Sequence, residues 1–155
     1  GRLSSEQRGV PAVRAQGLDD TLASLGIPVS LKPDRDPFSA WHQPDDEAIL
    51  ADLKSLFKKP KPIDGLFITA DILAPPAFRA LKKLGIKPGA DVAVVTCNNE
   101  RPYLADLTPK PAVVDIHAER IGAEAVKLLA WRQTNPDEPK RTIMIEPSLI
   151  MPGGQ

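Results

Sequence analysis

The feature that most constrains this chain is an alternation of short apolar runs with longer segments whose apolar residues recur at helical spacing. The clearest stretch begins with LFIT at 66–69, continues with apolar residues from Leu73 to Leu84, and ends with VAVVT at 92–96. A short run that is nearly all β-branched and apolar is typical of a strand buried on both faces of a parallel sheet. This order predicts an α/β fold, a doubly wound parallel three-layer sandwich with helices on both faces of the sheet.

The same alternation extends to both sides of this stretch. Further helices are predicted over 10–25, 44–57 and 121–129, and Gly26 and Gly85 are typical helix stop signals. Further strands are predicted at 27–31, at 113–116 and within an extended segment around 143–150, and polar loops at 32–43 and 97–111. Asp71 is predicted to cap the helix that follows it.

Composition excludes several classes of protein. The chain has 155 residues, enough for one domain or slightly more, and 42% of them are hydrophobic, enough for a core. Lys plus Arg equal Asp plus Glu at 20 each, whereas a nucleic-acid groove normally carries a cationic excess. No apolar run is long enough to span a bilayer, and a single cysteine cannot form a disulfide framework or a cysteine-rich zinc site.

Sequence signatures of catalysis are missing. The chain contains no GxGxxG or GxxxxGK[ST] phosphate loop and no GxSxG nucleophile elbow. His42 and His117 are far apart, the acidic run at 45–47 is typical of a helix start, and Cys97 has no neighbouring His or Lys to activate its thiol. Cys97 is therefore interpreted as a small buried residue. The sequence predicts no catalytic residue, no metal site and no cofactor.

Ligand contacts are expected at the strand ends, because ligands of doubly wound sheets bind beyond the carboxyl ends of the strands. Two of these ends are polar, Thr69-Ala70-Asp71 and Cys97-Asn98-Asn99. Phe38 and Trp41, in the polar loop at 32–43, either pack back onto the core or form an aromatic wall against a ligand. The sequence leaves both of these roles open.

Residues 64–100, DGLFITADILAPPAFRALKKLGIKPGADVAVVTCNNE, resemble the effector-sensing domain of LacI/GalR-type transcriptional regulators. Flanking stretches extend the resemblance: Arg14-Ala15-Gln16-Gly17, TPKPAVVDIHAERIGAEAVKLL at 108–129, and EPSLIMPGG, where Pro152 stands in place of an arginine. The resemblance rests on the order and spacing of these stretches and covers nearly the whole chain.

The resemblance implies a two-lobed, periplasmic-binding-protein-like fold with the effector bound in the cleft between the lobes. Residues 1–155 would supply most of the second lobe and a C-terminal segment that crosses back to the first lobe. A helix-turn-helix and most of the first lobe would lie outside them, as would a central strand between those at 27–31 and 65–69. We therefore expect further chain upstream of residue 1.

The implied function is a ligand-responsive transcriptional regulator of the LacI type, which is not an enzyme. It would bind a small-molecule effector, a sugar or related metabolite, and operator DNA through an N-terminal helix-turn-helix. It would be a cytoplasmic homodimer with no membrane contact. Two alternatives remain: a sugar- or solute-binding protein of an ABC transporter, and a small α/β enzyme, for which the sequence offers no acid-base or nucleophile set.

Three effector contacts follow from the resemblance. Arg14 corresponds to an arginine that pairs with a polar or anionic group, since a guanidinium forms paired hydrogen bonds. Phe38 corresponds to an aromatic residue that stacks on the effector, and His117 lies in the crossover region, where effector contacts are common.

Two further positions depart from the family pattern. Ala70 stands where Asn is usual, and Asn98 stands where a carboxylate normally accepts hydrogen bonds from effector hydroxyls. These departures favour an effector with fewer hydroxyl groups, or one with an anionic group that pairs with Arg14. Asp71 matches the family and is interpreted as a helix cap more than as an effector contact.

The resemblance also implies a dimer interface on this lobe. The helix at 72–84 and the loop around Arg101 to Leu104 are the expected contact surfaces. The alternative is that Leu73, Phe78 and Tyr103 only cover the core.

Overall fold

The structure, a computed structural model, describes residues 10–27, 45–58 and 63–153. These residues form five α-helices and four β-strands, in the order α1 Val10–Ser24, α2 Asp46–Phe57, β1 Gly65–Phe67, α3 Ala74–Lys83, β2 Ala93–Asn98, α4 Arg101–Leu104, β3 Ala112–Asp115, α5 Ala118–Thr134 and β4 Ser148–Ile150. A 3₁₀ turn, Asp71–Leu73, precedes α3. The loop predicted at 32–43 lies outside the described residues, as does the strand predicted at 27–31 except for Ile27.

The described sheet has the strand order β1-β2-β3-β4. The pairs β1–β2 and β2–β3 are parallel, and β2 and β3 run in register from Val95 opposite Ala112 to Asn98 opposite Asp115. The predicted α/β fold with a parallel-dominated sheet is therefore confirmed. The parallel strands are connected by residues 68–92 and 99–111, which carry α3 and α4. Connections of this length are what crossovers between parallel strands require.

The last strand differs from its prediction. β4 is limited to Ser148–Ile150 and pairs antiparallel with β3, with Ser148 opposite Asp115, whereas residues 143–145 lie outside the sheet. The chain leaves β3 at its carboxyl end and re-enters the sheet at the same edge, so β4 has to run in the opposite direction. Residues 116–147 thus form an excursion that begins and ends at the carboxyl edge.

The core lies between the sheet and the helix pair α2 and α3. Leu81 of α3 and Val92 before β2 are 0% and 1% exposed, and Leu53 of α2 packs into the same cluster. Leu73 and Phe78 also belong to this cluster, so these two residues do contribute to the core, and the dimer interface stays a prediction. The exposed positions of α3 are instead basic: Arg79, Lys82 and Lys83.

Helix α2 starts two residues later than predicted, at Asp46, and side-chain contacts fix this start. Asp45 is the N-cap, and its Oδ1 atom accepts the backbone N–H groups of Glu47 and Ala48 at 3.0 and 3.2 Å. The Arg79 guanidinium donates two hydrogen bonds to the carboxylate of Asp46, from Nε at 2.9 Å and from Nη2 at 2.7 Å. These hydrogen bonds lower the pKa of Asp46 below its usual range. This pair joins α3 to the first turn of α2.

The predictions for Asp71 and β2 also need correction. Asp71 does not cap a helix, because the 3₁₀ turn has Ala70 as its N-cap and no capping side-chain hydrogen bond. β2 extends through Cys97 to Asn98, two residues that were predicted as loop, because both pair with β3. The short helix α4 falls inside the same predicted loop.

Helix α5 has an apolar side that nothing in the described structure covers. None of its residues is buried, and Val126 and Leu129 are 67% and 62% exposed. The return segment lies beside it, with the Arg141 guanidinium 3.7 Å from the ring centre of Trp131, and Met144 is 86% exposed. In the described part of the chain no helix is both long and apolar enough to cross a membrane.

Substitution of Leu81 by alanine should destabilise the 155-residue chain by about 2–5 kcal/mol, because it leaves a cavity in the core. The matched control is Leu25→Ala at a position that is 65% exposed, for which we expect a change below about 0.5 kcal/mol. Urea denaturation followed by circular dichroism measures both values. Equal losses for the two variants would contradict the assignment of the core.

Candidate functional site: the polar edge of the sheet

Three parallel strands end at one edge of the sheet in polar residues. We call this surface the polar edge and define it as Thr69–Asp71 after β1, Asn98–Glu100 at the end of β2, and Asp115–His117 at the end of β3. Ligands of open parallel sheets bind beyond this end of the strands. The polar edge is therefore the candidate functional site.

Arg14 of α1 reaches the polar edge. Its Nη1 atom donates a hydrogen bond of 2.8 Å to the backbone carbonyl oxygen of Thr69, and its side chain is half-buried. A guanidinium carries five N–H donors, so this bond uses one of them and orients the others near the end of β1. The structure places Arg14 where the sequence predicted an effector contact.

Asp71 ties the loops after β1 and β2 together. Its side chain is fully buried, and its Oδ2 atom accepts the backbone N–H of Glu100 at 2.6 Å. Its Oδ1 atom has no hydrogen-bond partner among the described residues. Ala70 is buried in extended backbone and brings only a methyl group to the site. A carboxylate at this depth stabilises the loops and is not accessible to a ligand in this structure.

Asn98 and Asn99 turn the chain sharply at the end of β2. Their φ angles are 124° and 69°, and residues other than glycine rarely adopt such positive values. Asn98 Nδ2 donates to Glu100 Oε1 at 3.3 Å, and its buried Oδ1 atom has no partner within the described ranges. The predicted contact at Asn98 therefore lies at the polar edge with one unused acceptor.

Asp115 and His117 complete the edge at β3. Asp115 Oδ1 accepts the backbone N–H of His117 at 2.7 Å, and Asp115 Oδ2 accepts Asn99 Nδ2 at 3.0 Å. The His117 Nδ1 atom lies 3.6 Å from Asp115 Oδ2. Burial raises the pKa of Asp115, but the bonds from His117 and Asn99 outweigh it and bring that pKa below its usual range. Asp115 therefore stays ionised at neutral pH.

Asp115 is not among the contacts predicted from the sequence. A signal was present, because the apolar run AVVD at 112–115 ends in a polar residue just as the two strands before it do. Of the predicted contacts, Arg14, Ala70, Asp71, Asn98 and His117 lie at the polar edge. Phe38 lies outside the described residues. Their role as effector contacts stays a prediction.

Cys97 lies in β2 just before the polar edge. Its side chain is 3% exposed, and burial raises the pKa of its thiol, against a smaller opposite effect of Arg14. The prediction of a small buried residue is confirmed. The described ranges contain no cluster of three or more His, Cys, Asp or Glu side chains suited to a metal ion.

Comparison with known proteins identifies the domain family of this chain. Residues 3–152 match the periplasmic binding protein-like domain. The chain belongs to this family. The predicted resemblance to the effector-binding domain of LacI-type regulators is confirmed by this match together with the relatives described next.

Three relatives of this periplasmic binding protein-like domain are named as transcriptional regulators or repressors. The chain is 32% identical over 99 residues, 61% of its length, to the HTH-type transcriptional repressor PurR of Edwardsiella ictaluri (strain 93-146), of which it spans 27%. A putative LacI-family repressor of Corynebacterium glutamicum superposes with a TM-score of 0.73 at 19% identity, over 98% of this chain and 55% of the other. The transcriptional regulator CelR–cellobiose complex gives 0.69 at 21% identity, over 92% and 42%. The chain thus spans about half of these solved structures.

The Cys97 thiol should be nearly unreactive in the folded chain, because it is buried and its pKa is raised. Labelling with Ellman's reagent at pH 8 is expected to proceed at least about a hundredfold more slowly in buffer than in guanidinium chloride, where the chain is unfolded. Small thiols such as free cysteine serve as the rate standard. Labelling in buffer at the rate of that standard would contradict the packing of β2.

Proposed function

We propose that this periplasmic binding protein-like domain is the effector-sensing part of a LacI-type transcriptional regulator. The observation that carries the proposal is the polar edge, where Arg14 and the ends of three parallel strands bring hydrogen-bonding groups to one surface. The identity to PurR and the fold shared with LacI-family structures support the same assignment.

The course of the chain supports a second lobe that faces a cleft. Residues 116–147 leave and re-enter the sheet at the polar edge, so α5 and the return segment connect to the sheet on the ligand side. Their exposed apolar residues include Val126, Leu129 and Met144. Exposed apolar patches of this kind mark surfaces that pack against another part of the protein or a partner. A first lobe of the same protein fits this requirement, with 1–115 and β4 in the second lobe and the excursion as the crossover.

Regulation follows from a difference in affinity between two lobe arrangements. An effector held between the polar edge and a facing lobe favours the closed arrangement only if it binds that arrangement more tightly. A change in the angle between lobes then alters the spacing of DNA-binding domains in a dimer. The two binding equilibria are coupled, so operator DNA changes the affinity for effector by the same factor.

The proposed partners are a sugar or related metabolite, operator DNA and a second copy of the chain. The polar edge offers hydrogen-bonding groups of the kind sugars need, and CelR, a structural relative, is known as a complex with cellobiose. The chain has a net charge of zero, whereas DNA-binding surfaces normally carry excess positive charge. We therefore assign DNA binding to a separate helix-turn-helix domain. Such a regulator works in the cytoplasm, where the DNA lies.

The two alternatives have less support. A solute-binding protein of a transporter would share the fold, but the relatives described above are transcriptional regulators. A small α/β enzyme would need an acid-base or nucleophile set at the strand ends. The Cys97 thiol near these ends is buried and its pKa is raised.

The test is DNA binding by the full-length protein, measured by fluorescence anisotropy on DNA from the region upstream of its own gene. Cellobiose, D-ribose and D-glucose are added in turn, and we expect one of them to change the DNA affinity by about tenfold. Arg14→Ala should bind DNA normally and lose this response. No DNA binding, or a response that Arg14→Ala leaves intact, would contradict the proposal.

A separate prediction concerns the apolar side of α5. Leu129→Glu should leave the melting temperature of the 155-residue chain unchanged, because Leu129 is 62% exposed there. In the full-length protein the same change should lower the melting temperature by several degrees, because it would bury a carboxylate against the first lobe. Gln133→Glu, at an exposed polar position of the same helix, is the control in both proteins. Equal behaviour of Leu129→Glu in both would rule out the packing of α5 on a first lobe.

A further inference from the structure

Three carboxylates lie at the polar edge, and they differ in access to a ligand. Asp71 is fully buried, and its Oδ2 atom already holds the loop after β2. Glu100 is exposed on a long side chain, with a 3.3 Å contact from Asn98 Nδ2. The Asp115 side chain is 18% exposed, so it is partly open to solvent. Asp115 is thus the carboxylate here that combines access with a fixed position.

Two donors fix the Asp115 carboxylate before any ligand arrives. The His117 backbone N–H holds Oδ1 at 2.7 Å, and Asn99 Nδ2 holds Oδ2 at 3.0 Å. A carboxylate has about four lone-pair positions, so these bonds leave about half of them for other donors. The His117 Nδ1 atom also lies 3.6 Å from Oδ2. A pre-oriented acceptor of this kind binds donors with little entropy cost.

Backbone strain is concentrated around the same carboxylate. In the described part of the chain, the residues other than glycine with a positive φ are Asn98, Asn99 and His117. Two of them supply the donors that hold Asp115, and the third pairs with it across the sheet. Strained backbone costs about 1–3 kcal/mol a residue and clusters at ligand sites, where the surroundings hold it in place.

Asp115 also complements the neutral Asn98. The two residues are partners in the register of β2 and β3, so a charged acceptor stands on the strand next to the amide. Arg14 lies at the end of β1, with β2 between it and β3, so the two strand ends are about 10 Å apart. A ligand that contacts both residues would therefore place a hydrogen-bond donor near Asp115 and, about 10 Å away, an acceptor near Arg14.

We propose that Asp115 determines which effectors this site accepts, because its carboxylate accepts hydrogen bonds from the hydroxyl groups of a sugar. Asn99 and His117 are positioning residues for that carboxylate. The inference rests on the proposed function and deepens it, because it names the residue that selects a hydroxyl-bearing effector.

The experiment is isothermal titration calorimetry of the full-length protein with D-ribose, D-glucose and cellobiose, and with 2-deoxy-D-ribose and 2-deoxy-D-glucose. Asp115→Asn should weaken the sugar that binds by about tenfold or more, since hydrogen bonds to a charged group are the stronger ones. Asp64→Asn, the same change at an exposed residue before the amino end of β1, should alter affinity by less than about twofold. Asn99→Ala keeps the charge and should cause a smaller loss.

The deoxy sugars separate a direct contact from a structural effect. If Asp115 binds hydroxyl groups, the protein should discriminate against the deoxy form that lacks one of them, and Asp115→Asn should lose that discrimination. Unchanged sugar affinity in Asp115→Asn overturns the inference and leaves the proposed function intact. Failure of every sugar to bind also overturns it, whereas failure of the full-length protein to bind DNA overturns the proposed function alone.

Discussion

The parallel pairing of β1, β2 and β3 is the constraint on which the rest of this structure depends. Parallel strands have their carboxyl ends at one edge, so the polar residues that follow each apolar run collect on a single surface. The buried carboxylate of Asp71 then joins two of the loops through the N–H of Glu100. The same sheet therefore packs one face against α3 to form the core and places the hydrogen-bonding groups of the polar edge together.

The antiparallel entry of β4 links this edge to the remainder of the fold. Because Ser148 pairs opposite Asp115, the chain between them starts and finishes beside the candidate site. An excursion with an uncovered apolar helix at that position fits the proposed two-lobed binding protein. The polar residues at the end of β3 thus lie where this excursion leaves the sheet.

The sequence alone predicts the parts of this molecule that depend on local pattern. Helical spacing from Leu73 to Leu84 and the apolar run at 92–96 predict α3 and β2, and Gly26 and Gly85 have the positive φ angles expected of helix stops. Contacts between distant residues leave no such pattern. Three contacts of this kind required the structure. They are the bond from Glu100 N–H to Asp71, the antiparallel entry of β4, and the bond from Asn99 to Asp115.

The most direct test of the central claim is hydrogen exchange of the full-length protein, with and without a sugar that alters its DNA binding. The account predicts slower exchange on sugar binding in peptides that cover 98–101 and 115–118, at the polar edge. Peptides that cover 88–92 and 108–111, at the opposite edge of the sheet, should exchange at the same rate. Protection at the opposite edge, with none at 98–101 and 115–118, would contradict the account.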